Sequence, residues 1–326
     1  MSVLVTGGAG YIGSHMVHML IDRGEHPVVL DNLCTGVRGL VAEDATFVEG
    51  DVADIRLVRE TIQDLDVEAV IHFAGSVVVP ESVENPLFYY ANNTAASRNL
   101  IEACVAEGVQ NFVFSSTAAV YGTPETMPVS EDAPTQPINP YGRSKLMTEW
   151  MLRDAAEAHD FRYAALRYFN VAGADGKGRT GQSTPRATHL IKRACQAALG
   201  RVSHLGIFGT DFPTADGTGV RDYIHVMDLI EAHLLALGHL RESGSSLICN
   251  AGYGHGFSVR EVVRAVERIS GQPLPVREEE RRAGDPPAIV ANSERLKSTL
   301  NWQPEFDDLD LIVRSAYAWE RRLNDV

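Results

Sequence analysis

The sequence predicts an α/β protein in which a doubly wound parallel sheet is followed by a smaller α+β lobe. Over residues 1–170, short apolar runs alternate with helix-length amphipathic stretches, and the first apolar run ends in a glycine-rich turn. After about residue 170 this alternation gives way to longer loops and separate helices. Apolar strands too short to alternate with polar residues are typical of a parallel sheet that helices cover on both faces.

Six strands are predicted in the first half: Val3–Thr6, Pro27–Asp31, Thr46–Glu49, Ala69–Phe73, Asn111–Ser115 and Tyr163–Arg167. The stretches between them predict helices over Gly13–Arg23, Ile55–Leu65, Ala91–Glu107 and Ser144–His159. The second half predicts loops over Val171–Pro185 and Gly209–Gly219 and a charged, proline-rich stretch over Pro273–Pro287. Its predicted helices are Ala187–Leu199, Met227–Leu240, Val259–Ser270 and Leu309–Leu323. We expect two domains, 1–170 and 171–326, with the helix over 227–240 packing back onto the first.

Composition excludes two classes of protein. With 326 residues and 44% hydrophobic residues, the chain can bury a core and is not a disordered or fibrous protein. A net charge of −14 argues against a general nucleic-acid binder. Residues 1–165 carry 9 basic and 23 acidic side chains, whereas residues 166–326 carry 20 of each. Cationic side chains that could hold a phosphorylated ligand are therefore more numerous in the second half.

Neither a membrane span nor a metal site is predicted. No apolar run approaches the ~18 residues that a spanning helix needs, and the first residues, Met-Ser-Val-Leu-Val, enter a strand pattern without a basic segment typical of a signal peptide. Cys34, Cys104, Cys195 and Cys249 have neither zinc-site nor compact disulfide spacing. We expect a cytoplasmic protein with free cysteines and no metal ion.

The segment from Thr6 to Gly13, Thr-Gly-Gly-Ala-Gly-Tyr-Ile-Gly, lies between the first predicted strand and helix. Gly7, Gly10 and Gly13 allow a tight turn and close packing of helix on strand, and the helix N-terminus can bind a pyrophosphate. This context predicts a Rossmann-type dinucleotide site. Asp31 ends the second strand, where a carboxylate binds ribose hydroxyls and repels a 2′-phosphate, so we expect NAD rather than NADP.

A candidate proton relay follows the fifth strand. Ser115-Ser116-Thr117 ends that strand, and Tyr141 and Lys145 share one face of a later helix because they are four residues apart. An ammonium group close to the phenol would lower the pKa of Tyr141 toward neutral pH. The hydroxyl of Thr117 could connect the phenol to a substrate.

These motifs resemble the extended short-chain dehydrogenase/reductase superfamily, and within it the UDP-sugar epimerases. The resemblance covers essentially the whole chain, and its most specific segments are Val3–Gly13, Asp31–Cys34, His72–Gly75, Tyr141–Lys145, Leu166–Asn170, Ile207–His225 and Arg281–Pro287. It implies an NAD-dependent isomerase that interconverts UDP-galactose and UDP-glucose through a 4-keto sugar. It also implies a homodimer formed through the helices Ala91–Glu107 and Ser144–His159.

The resemblance also implies roles for individual residues. The reaction residues would be Tyr141, Lys145 and Thr117. The NAD-binding residues would be Gly7, Gly10, Tyr11, Ile12, Gly13, Asp31, Asn32, Asp51, Val52, Phe73, Ala74, Gly75, Asn92, Ser115, Tyr141, Lys145 and Tyr168. The residues holding the UDP-hexose would be Thr117, Asn170, His189, Leu190, Gly206, Phe208, Arg221, Tyr223, Arg282, Asp285 and Ile289.

Three positions depart from the family pattern. Val77 stands where a lysine often binds the nicotinamide ribose, and His189 stands where asparagine is frequent. Ile289 is smaller than the tyrosine that some members carry at that position, which predicts that N-acetylated UDP-sugars are also accepted.

The motifs are compared with those of three other activities. A nucleotide-sugar 4,6-dehydratase would need an acid/base pair after the strand-end threonine, where this chain has Ala118-Ala119. Epimerases of UDP-N-acetylhexosamines, UDP-pentoses or UDP-uronates share most of the motifs. A non-catalytic NAD-sensing protein would commonly lack the pair formed by Tyr141 and Lys145.

Overall fold

A computed structural model describes residues 2–184, 187–282 and 285–323 of the chain. Its strands are β1 (Ser2–Thr6), β2 (His26–Asp31), β3 (Thr46–Glu49), β4 (Val67–His72), β5 (Asn111–Thr117), β6 (Arg162–Tyr168), β7 (Asn170–Ala172), β8 (Leu205–Phe208), β9 (Val220–Arg221), β10 (Tyr223–His225), β11 (Leu247–Ala251), β12 (Phe257–Ser258), β13 (Val276–Glu279) and β14 (Ala288–Ile289).

Its helices are α1 (Tyr11–Asp22), α2 (Ile55–Asp64), α3 (Val79–Glu84), α4 (Pro86–Tyr89), α5 (Ala96–Ala106), α6 (Pro140–Ala158), α7 (Leu190–Ala198), α8 (Val226–Ser243), α9 (Val259–Ser270), α10 (Glu294–Leu300) and α11 (Leu309–Arg322). A π-helix spans Tyr90–Ala95, and short 3₁₀ turns span Arg38–Leu40 and Ala118–Tyr121.

The central sheet has seven parallel strands in the order β11-β6-β5-β4-β1-β2-β3. Neighbouring residues of β1 point into different cores: Val3 and Val5 belong to the apolar cluster that includes α1 and α8, and Leu4 belongs to the cluster that includes α2 and α5. Both faces are therefore covered, as the apolar strand pattern predicts. The predicted doubly wound α/β fold is confirmed.

The second half contributes to this sheet. β11 pairs in parallel with β6, with Cys249 opposite Leu166, and α8 packs against β5, β6 and α1. The remaining elements form a smaller lobe in which β7 pairs with β10, β9 lies between β12 and β14, and β8 pairs with β13. Helices α7, α9 and α11 pack against one another beside these short strands.

Several boundaries differ from the prediction. The continuous helix predicted over Ala91–Glu107 is a π-helix followed by α5. Helices α3, α4 and α10 and the strands from β7 to β14 were not predicted. Strand β13 lies within the charged stretch predicted over Pro273–Pro287. Pro185, at the end of one predicted loop, and residues 283–284 of that charged stretch lie outside the described residues.

The sequence predicts neither a membrane-spanning helix nor a metal site, and both predictions can be compared with the described segments. There, no helix is long and apolar enough to cross a bilayer. No group of three or more His, Cys, Asp or Glu side chains is placed there to hold a metal ion. All four cysteines lie in described segments and are free, and Cys34 alone among them is exposed.

Four buried histidines make stability depend on pH. His15, His72, His225 and His233 are at most 1% exposed, and burial lowers the pKa of each to about 3 or 4. The unfolded chain takes up protons near the usual pKa of about 6.5, so it binds more protons than the folded chain below that pH. We expect stability to fall from pH 6.5 downward, by about 2 kcal/mol or more per histidine at pH 4.

Urea midpoints measured between pH 8 and pH 4 test this expectation. His233→Leu should flatten the acid limb of the stability curve because one proton-binding site of the unfolded state is removed. Replacement of the exposed His159 with Gln should leave the slope unchanged. A stability that is constant between pH 6.5 and 4.5 would contradict the account.

Candidate active site

The predicted cofactor residues gather at the carboxyl edge of the central sheet. From β1 the chain continues through β2 and β3 on one side, then crosses to β4, β5 and β6 on the other. A crevice opens where the strand order reverses in this way, and it is the usual ligand site of an open parallel sheet. Gly7 follows β1 and Phe73 follows β4, so these two segments border the crevice.

In the glycine-rich turn, side chains at Gly7 and Gly13 would meet backbone atoms. Gly7 has a φ of +69°, and a Cβ there would lie 2.7 Å from the backbone nitrogen of Ala74. A Cβ on Gly13 would lie 2.2 Å from the carbonyl oxygen of Gly7. Gly10 is the N-cap of α1 and supplies no side-chain cap, so the N–H groups of the first helical turn remain available to an anion.

Tyr11 and Ile12 form part of that first turn. The hydroxyl of Tyr11 donates to the carbonyl oxygen of Gly173 at 2.7 Å and lies in the core. Tyr11 therefore contributes only its backbone N–H at the turn. Its side chain joins α1 to the segment after β7.

The carboxylate of Asp31 is held beside the glycine-rich turn. It accepts hydrogen bonds from the backbone N–H groups of Ala9 at 2.9 Å and Leu33 at 2.8 Å. Burial nevertheless raises the pKa of Asp31. Farther along the edge, Asn32 donates to the carboxylate of Asp51 at 2.8 Å, which joins the ends of β2 and β3. Val52 follows and is buried.

The π-helix places two asparagines against the segment that follows β4. Asn93 accepts from the N–H of Ser76 at 2.8 Å and donates to the carbonyl oxygen of Ser76 at 3.0 Å and to Ser144 at 3.1 Å. Asn92 donates to the hydroxyl of Ser76 at 3.1 Å. A Cβ on Gly75 would lie 3.7 Å from the Nζ atom of Lys145. The π-helix therefore holds the segment Phe73–Ser76 close to α6.

Tyr141 and Lys145 lie in the first two turns of α6. The N-cap, Asn139, accepts from the backbone N–H of Gly142 at 2.8 Å and so fixes the start of the helix. The Nζ atom of Lys145 donates to the carbonyl oxygen of Ser115 at 3.0 Å. The side chain of Thr117 lies beside Tyr141 and acts on the pKa of its phenol. The last residues of β5 thus face both reaction residues that the sequence predicts on the helix.

The pKa of the phenol differs from the sequence-based expectation. Burial raises the pKa of Tyr141, and the nearby Tyr168 acts in the same direction, whereas hydrogen bonding with Thr117 opposes both. Burial lowers the pKa of Lys145 to about 8. The predicted lowering of the Tyr141 pKa by Lys145 is wrong for this structure, because the ammonium group is directed to the backbone of Ser115.

The hydroxyl of Ser115 donates to the hydroxyl of Tyr168 at 3.0 Å, so these two predicted cofactor residues lie together at the ends of β5 and β6. Val77, at the position that departs from the family pattern, is 49% exposed. Its side chain carries no charge that could replace the lysine.

The predicted substrate residues come together in three groups. Strand pairing places Asn170 opposite Tyr223, and both line a cavity of about 30 Å³ together with His189 and Leu190. Tyr11 also lines this cavity, which therefore extends toward the start of α1.

The second group lies on β9 and β14, where Ile289 pairs with Arg221. An Nη atom of Arg221 lies 3.7 Å from the carboxylate of Asp285. In the third group the guanidinium of Arg282 lies 3.8 Å from the ring centroid of Phe208. A Cβ on Gly206 would lie 3.1 Å from that ring, so the ring lies close over the glycine.

Sequence reasoning missed a residue that supports two of these groups. Asp222, between Arg221 and Tyr223, is fully buried and accepts from the backbone N–H groups of Tyr253, Gly254 and Ala291. Burial raises the pKa of Asp222, and the three backbone hydrogen bonds oppose this shift. The position of a charged residue between two candidate ligand-binding residues could have indicated Asp222. Its three backbone partners could not be predicted, because they lie 31, 32 and 69 residues later in the chain.

Comparisons with known proteins identify the family of the chain. Residues 3–252 match the model of the NAD dependent epimerase/dehydratase family. The UDP-glucose 4-epimerase of Azospirillum brasilense is 60% identical over 98% of this chain and 92% of that protein.

Two solved structures are also similar over nearly the whole chain. The UDP-glucose 4-epimerase of Brucella ovis, in complex with NAD, is 47% identical, with a TM-score of 0.95 and 98% of both chains covered. The UDP-Glc/GlcNAc 4-epimerase of Campylobacter jejuni is 47% identical, with a TM-score of 0.86 over 98% of this chain and 99% of that one.

Proposed function

The chain belongs to the NAD dependent epimerase/dehydratase family, and we propose that it is a UDP-glucose 4-epimerase, which interconverts UDP-glucose and UDP-galactose. The observation that carries the proposal is the arrangement at the end of β5. There, Thr117 meets Tyr141, and the carbonyl oxygen of Ser115 meets Lys145. This relay lies at the edge of the sheet that also carries the glycine-rich turn.

The residues around β1 and β2 fit NAD. The close packing at Gly7 and Gly13 leaves a backbone cradle for a pyrophosphate at the start of α1. The carboxylate of Asp31 suits ribose hydroxyls and disfavours a 2′-phosphate. NAD held there would supply reversible hydride transfer at C4 of the hexose. Lys145 and Asn92 would hold the nicotinamide ribose without help from Val77.

The chain's own residues would move the proton. We assign to Tyr141 the exchange of a proton with the 4-hydroxyl of the sugar, and to Thr117 the relay between them. Such acid–base assistance contributes about 10²–10⁴-fold to rate. The ammonium group of Lys145 stays on the carbonyl oxygen of Ser115, so we assign Lys145 to the cofactor and not to a shift in the pKa of Tyr141.

The substrate groups would hold the nucleotide firmly and the hexose loosely. Arg221 and Arg282 are suited to the diphosphate because a guanidinium donates two parallel hydrogen bonds to phosphate oxygens. The ring of Phe208 is 37% exposed and carries the guanidinium of Arg282, so it is suited to stack on the uracil once Arg282 binds the diphosphate. The 4-keto sugar must turn over between the two hydride transfers, so strong donors belong on the nucleotide and not around the sugar ring.

A coupled assay tests the proposal directly. The purified protein receives UDP-galactose without added NAD, and UDP-glucose is detected with a UDP-glucose dehydrogenase added after the protein is removed. We expect conversion to an equilibrium mixture, because NAD that is regenerated in each cycle stays bound. Absence of UDP-glucose from protein shown to contain NAD would overturn the proposal.

A second substrate class is favoured by Ile289. Its side chain is 9% exposed and lies beside Arg221, where a tyrosine would occupy more of the space near the sugar. We expect the protein also to convert UDP-N-acetylglucosamine, an activity that the name of the Campylobacter jejuni relative includes. Ile289→Tyr should lower that activity about tenfold or more and spare UDP-glucose.

Competition assays with both sugars check the prediction. Ile289→Val is the matched control, because it keeps an aliphatic side chain of similar size and should accept both substrates. If the unmodified protein does not convert UDP-N-acetylglucosamine, the proposed role of Ile289 is wrong.

We also propose that the protein is a homodimer. An exposed apolar face is formed by Val83 on α3, Leu87 and Phe88 on α4, and Trp150 on α6, whose side chains are 45% to 78% exposed. Helix α6 packs against α3 and α4, which makes the face continuous. A patch of this kind is typical of a protein–protein interface.

Sedimentation velocity should give about twice the chain mass of 35.6 kDa. Leu87→Glu should shift the protein to a monomer, whereas the same substitution at the exposed Leu311, on α11, should not. A wild-type protein that sediments as a monomer would contradict the proposal.

A further inference from the structure

Helix α6 contacts β5 through three residues placed at intervals of four. Tyr141, Lys145 and Glu149 lie on one face of the helix because four residues complete slightly more than one turn. Glu149 accepts a hydrogen bond from the hydroxyl of Ser116 at 2.5 Å. Together with the contacts of Tyr141 and Lys145, this makes three successive residues of β5 meet three successive turns of α6.

Ser116 differs from its neighbours in the direction of its side chain. Along a strand, consecutive side chains point to opposite faces, so Ser116 points away from Ser115 and Thr117 and is fully buried. Its hydroxyl therefore takes no part in the proposed relay. Its contact with Glu149 joins β5 to α6 on the face of the sheet opposite to the side chain of Thr117.

The carboxylate of Glu149 is itself held on two sides. Arg167 on β6 donates from Nε at 3.0 Å and from Nη2 at 2.6 Å to the two carboxylate oxygens. The side chains of Arg167 and Glu149 are 6% and 2% exposed. A buried ion pair with two hydrogen bonds contributes little net stability but fixes the geometry of both partners.

Arg167 lies at the same level of the sheet as Ser116. The two residues are paired in the register of β5 and β6, so Ser116, Glu149 and Arg167 join two strands and one helix at a single level. Arg167 also donates to the hydroxyl of Tyr121 at 3.0 Å. That hydroxyl donates in turn to the side chain of Asn250.

We propose that Glu149 and Arg167 are positioning residues that set the register of α6 on β5, so that Tyr141 faces Thr117 and Lys145 faces the end of β5. The role in catalysis rests on the proposed function, whereas the role in register is independent of it. Sliding the helix by even one ångström would lengthen the proton path, and misplacement of that size costs rate without weakening the grip on the nucleotide.

Ser116→Ala and Glu149→Gln test the proposal, with Tyr121→Phe as the matched control. Ser116→Ala removes a single hydroxyl, so it keeps the test valid if Glu149→Gln fails to fold. Tyr121→Phe removes a buried hydroxyl from the same guanidinium without touching the contact between β5 and α6. Activity is expressed per molecule of bound NAD, which corrects for any unfolded fraction.

We expect kcat of Ser116→Ala and Glu149→Gln to fall at least about tenfold, with KM for UDP-glucose within about twofold of wild type. Loosening the contact with Thr117 also removes the effect that lowers the pKa of Tyr141. The acid limb of the kcat profile should therefore move to higher pH in these variants and stay in place in Tyr121→Phe. Unchanged kcat per bound NAD and an unchanged profile would overturn the proposal.

A crystal structure of Ser116→Ala separates this proposal from the proposed function. We expect the contact between Lys145 and the carbonyl oxygen of Ser115, 3.0 Å in the wild-type chain, to lengthen beyond hydrogen-bonding distance. If the contact is retained, the register proposal is wrong. If the wild-type protein converts no UDP-hexose while the contact lengthens in the variant, only the proposed function fails.

Discussion

Tyr141→Phe should lower turnover of UDP-glucose by about 10²–10⁴-fold while NAD remains bound. The substitution removes only the hydroxyl that exchanges a proton with the sugar. The ring is 7% exposed in the first turn of α6, and phenylalanine fills nearly the same buried space. The residues that hold the cofactor, including Lys145, keep their positions. The loss should therefore appear in kcat rather than in KM for the UDP-sugar.

The coupled assay measures turnover, and the nucleotide released from heat-denatured protein measures bound NAD. Tyr163→Phe is the matched control, because Tyr163 is a buried tyrosine on β6 that packs in the apolar cluster that includes α2 and α5. It should lose no more than about twofold in kcat. A Tyr141→Phe protein with near wild-type turnover would remove Tyr141 from the mechanism.

Gly13→Ala should leave the purified protein with less than about a tenth of its bound NAD. An added Cβ would lie 2.2 Å from the carbonyl oxygen of Gly7 and 2.8 Å from the Cα of Gly8. Both are backbone atoms, so the turn must open or α1 must move away from β1. Either change displaces the N–H groups at the start of α1 that we assign to the pyrophosphate.

Bound NAD is measured on protein shown by gel filtration to be folded. Gly238→Ala is the control, because a Cβ at that position in α8 meets no atom within 4 Å. Alanine is favoured over glycine within a helix, so this variant should retain its NAD and its stability. Gly13→Ala protein that holds a full complement of NAD would show that the turn tolerates the displacement.

The central sheet was predictable because its signals are local. Each strand of the first half is a short apolar run between turn residues, and each helix has its own amphipathic period. Strand Thr46–Glu49 and helix Val259–Ser270 have the predicted bounds. β11 was missed because Leu247–Ala251 follows a loop and has no strand pattern of its own. It forms a strand by pairing with β6, about eighty residues earlier in the chain.

Those site residues were predictable whose relative positions follow from their spacing within a single helix or turn. Tyr141 and Lys145 are four residues apart, and the glycines follow the first strand. Tertiary burial was not predictable, and it reverses the direction of the pKa shift expected for Tyr141. The pairing of Glu149 with Arg167 joins residues 18 positions apart on different elements, so no periodic pattern indicates it.

The π-helix also depends on distant contacts. Nothing in the alternation of apolar and polar residues distinguishes Tyr90–Ala95 from the α-helix that follows. The wider turn coincides with the hydrogen bonds of Asn93 to Ser76 and Ser144, which lie on two other segments. Such turns occur often at functional sites, which agrees with the position of Asn92 and Asn93.

The pairing of β11 with β6 has a consequence for synthesis of the chain on the ribosome. When residue 170 has emerged, six strands of the sheet are available, but the outer edge of β6 has no partner until Ala251 has followed. Helix α8, which covers β5 and β6, is also synthesised only after these strands. An uncovered parallel edge can pair with another nascent chain. Slow translation between residues 170 and 251 would therefore favour aggregation, whereas pausing after residue 251 would not.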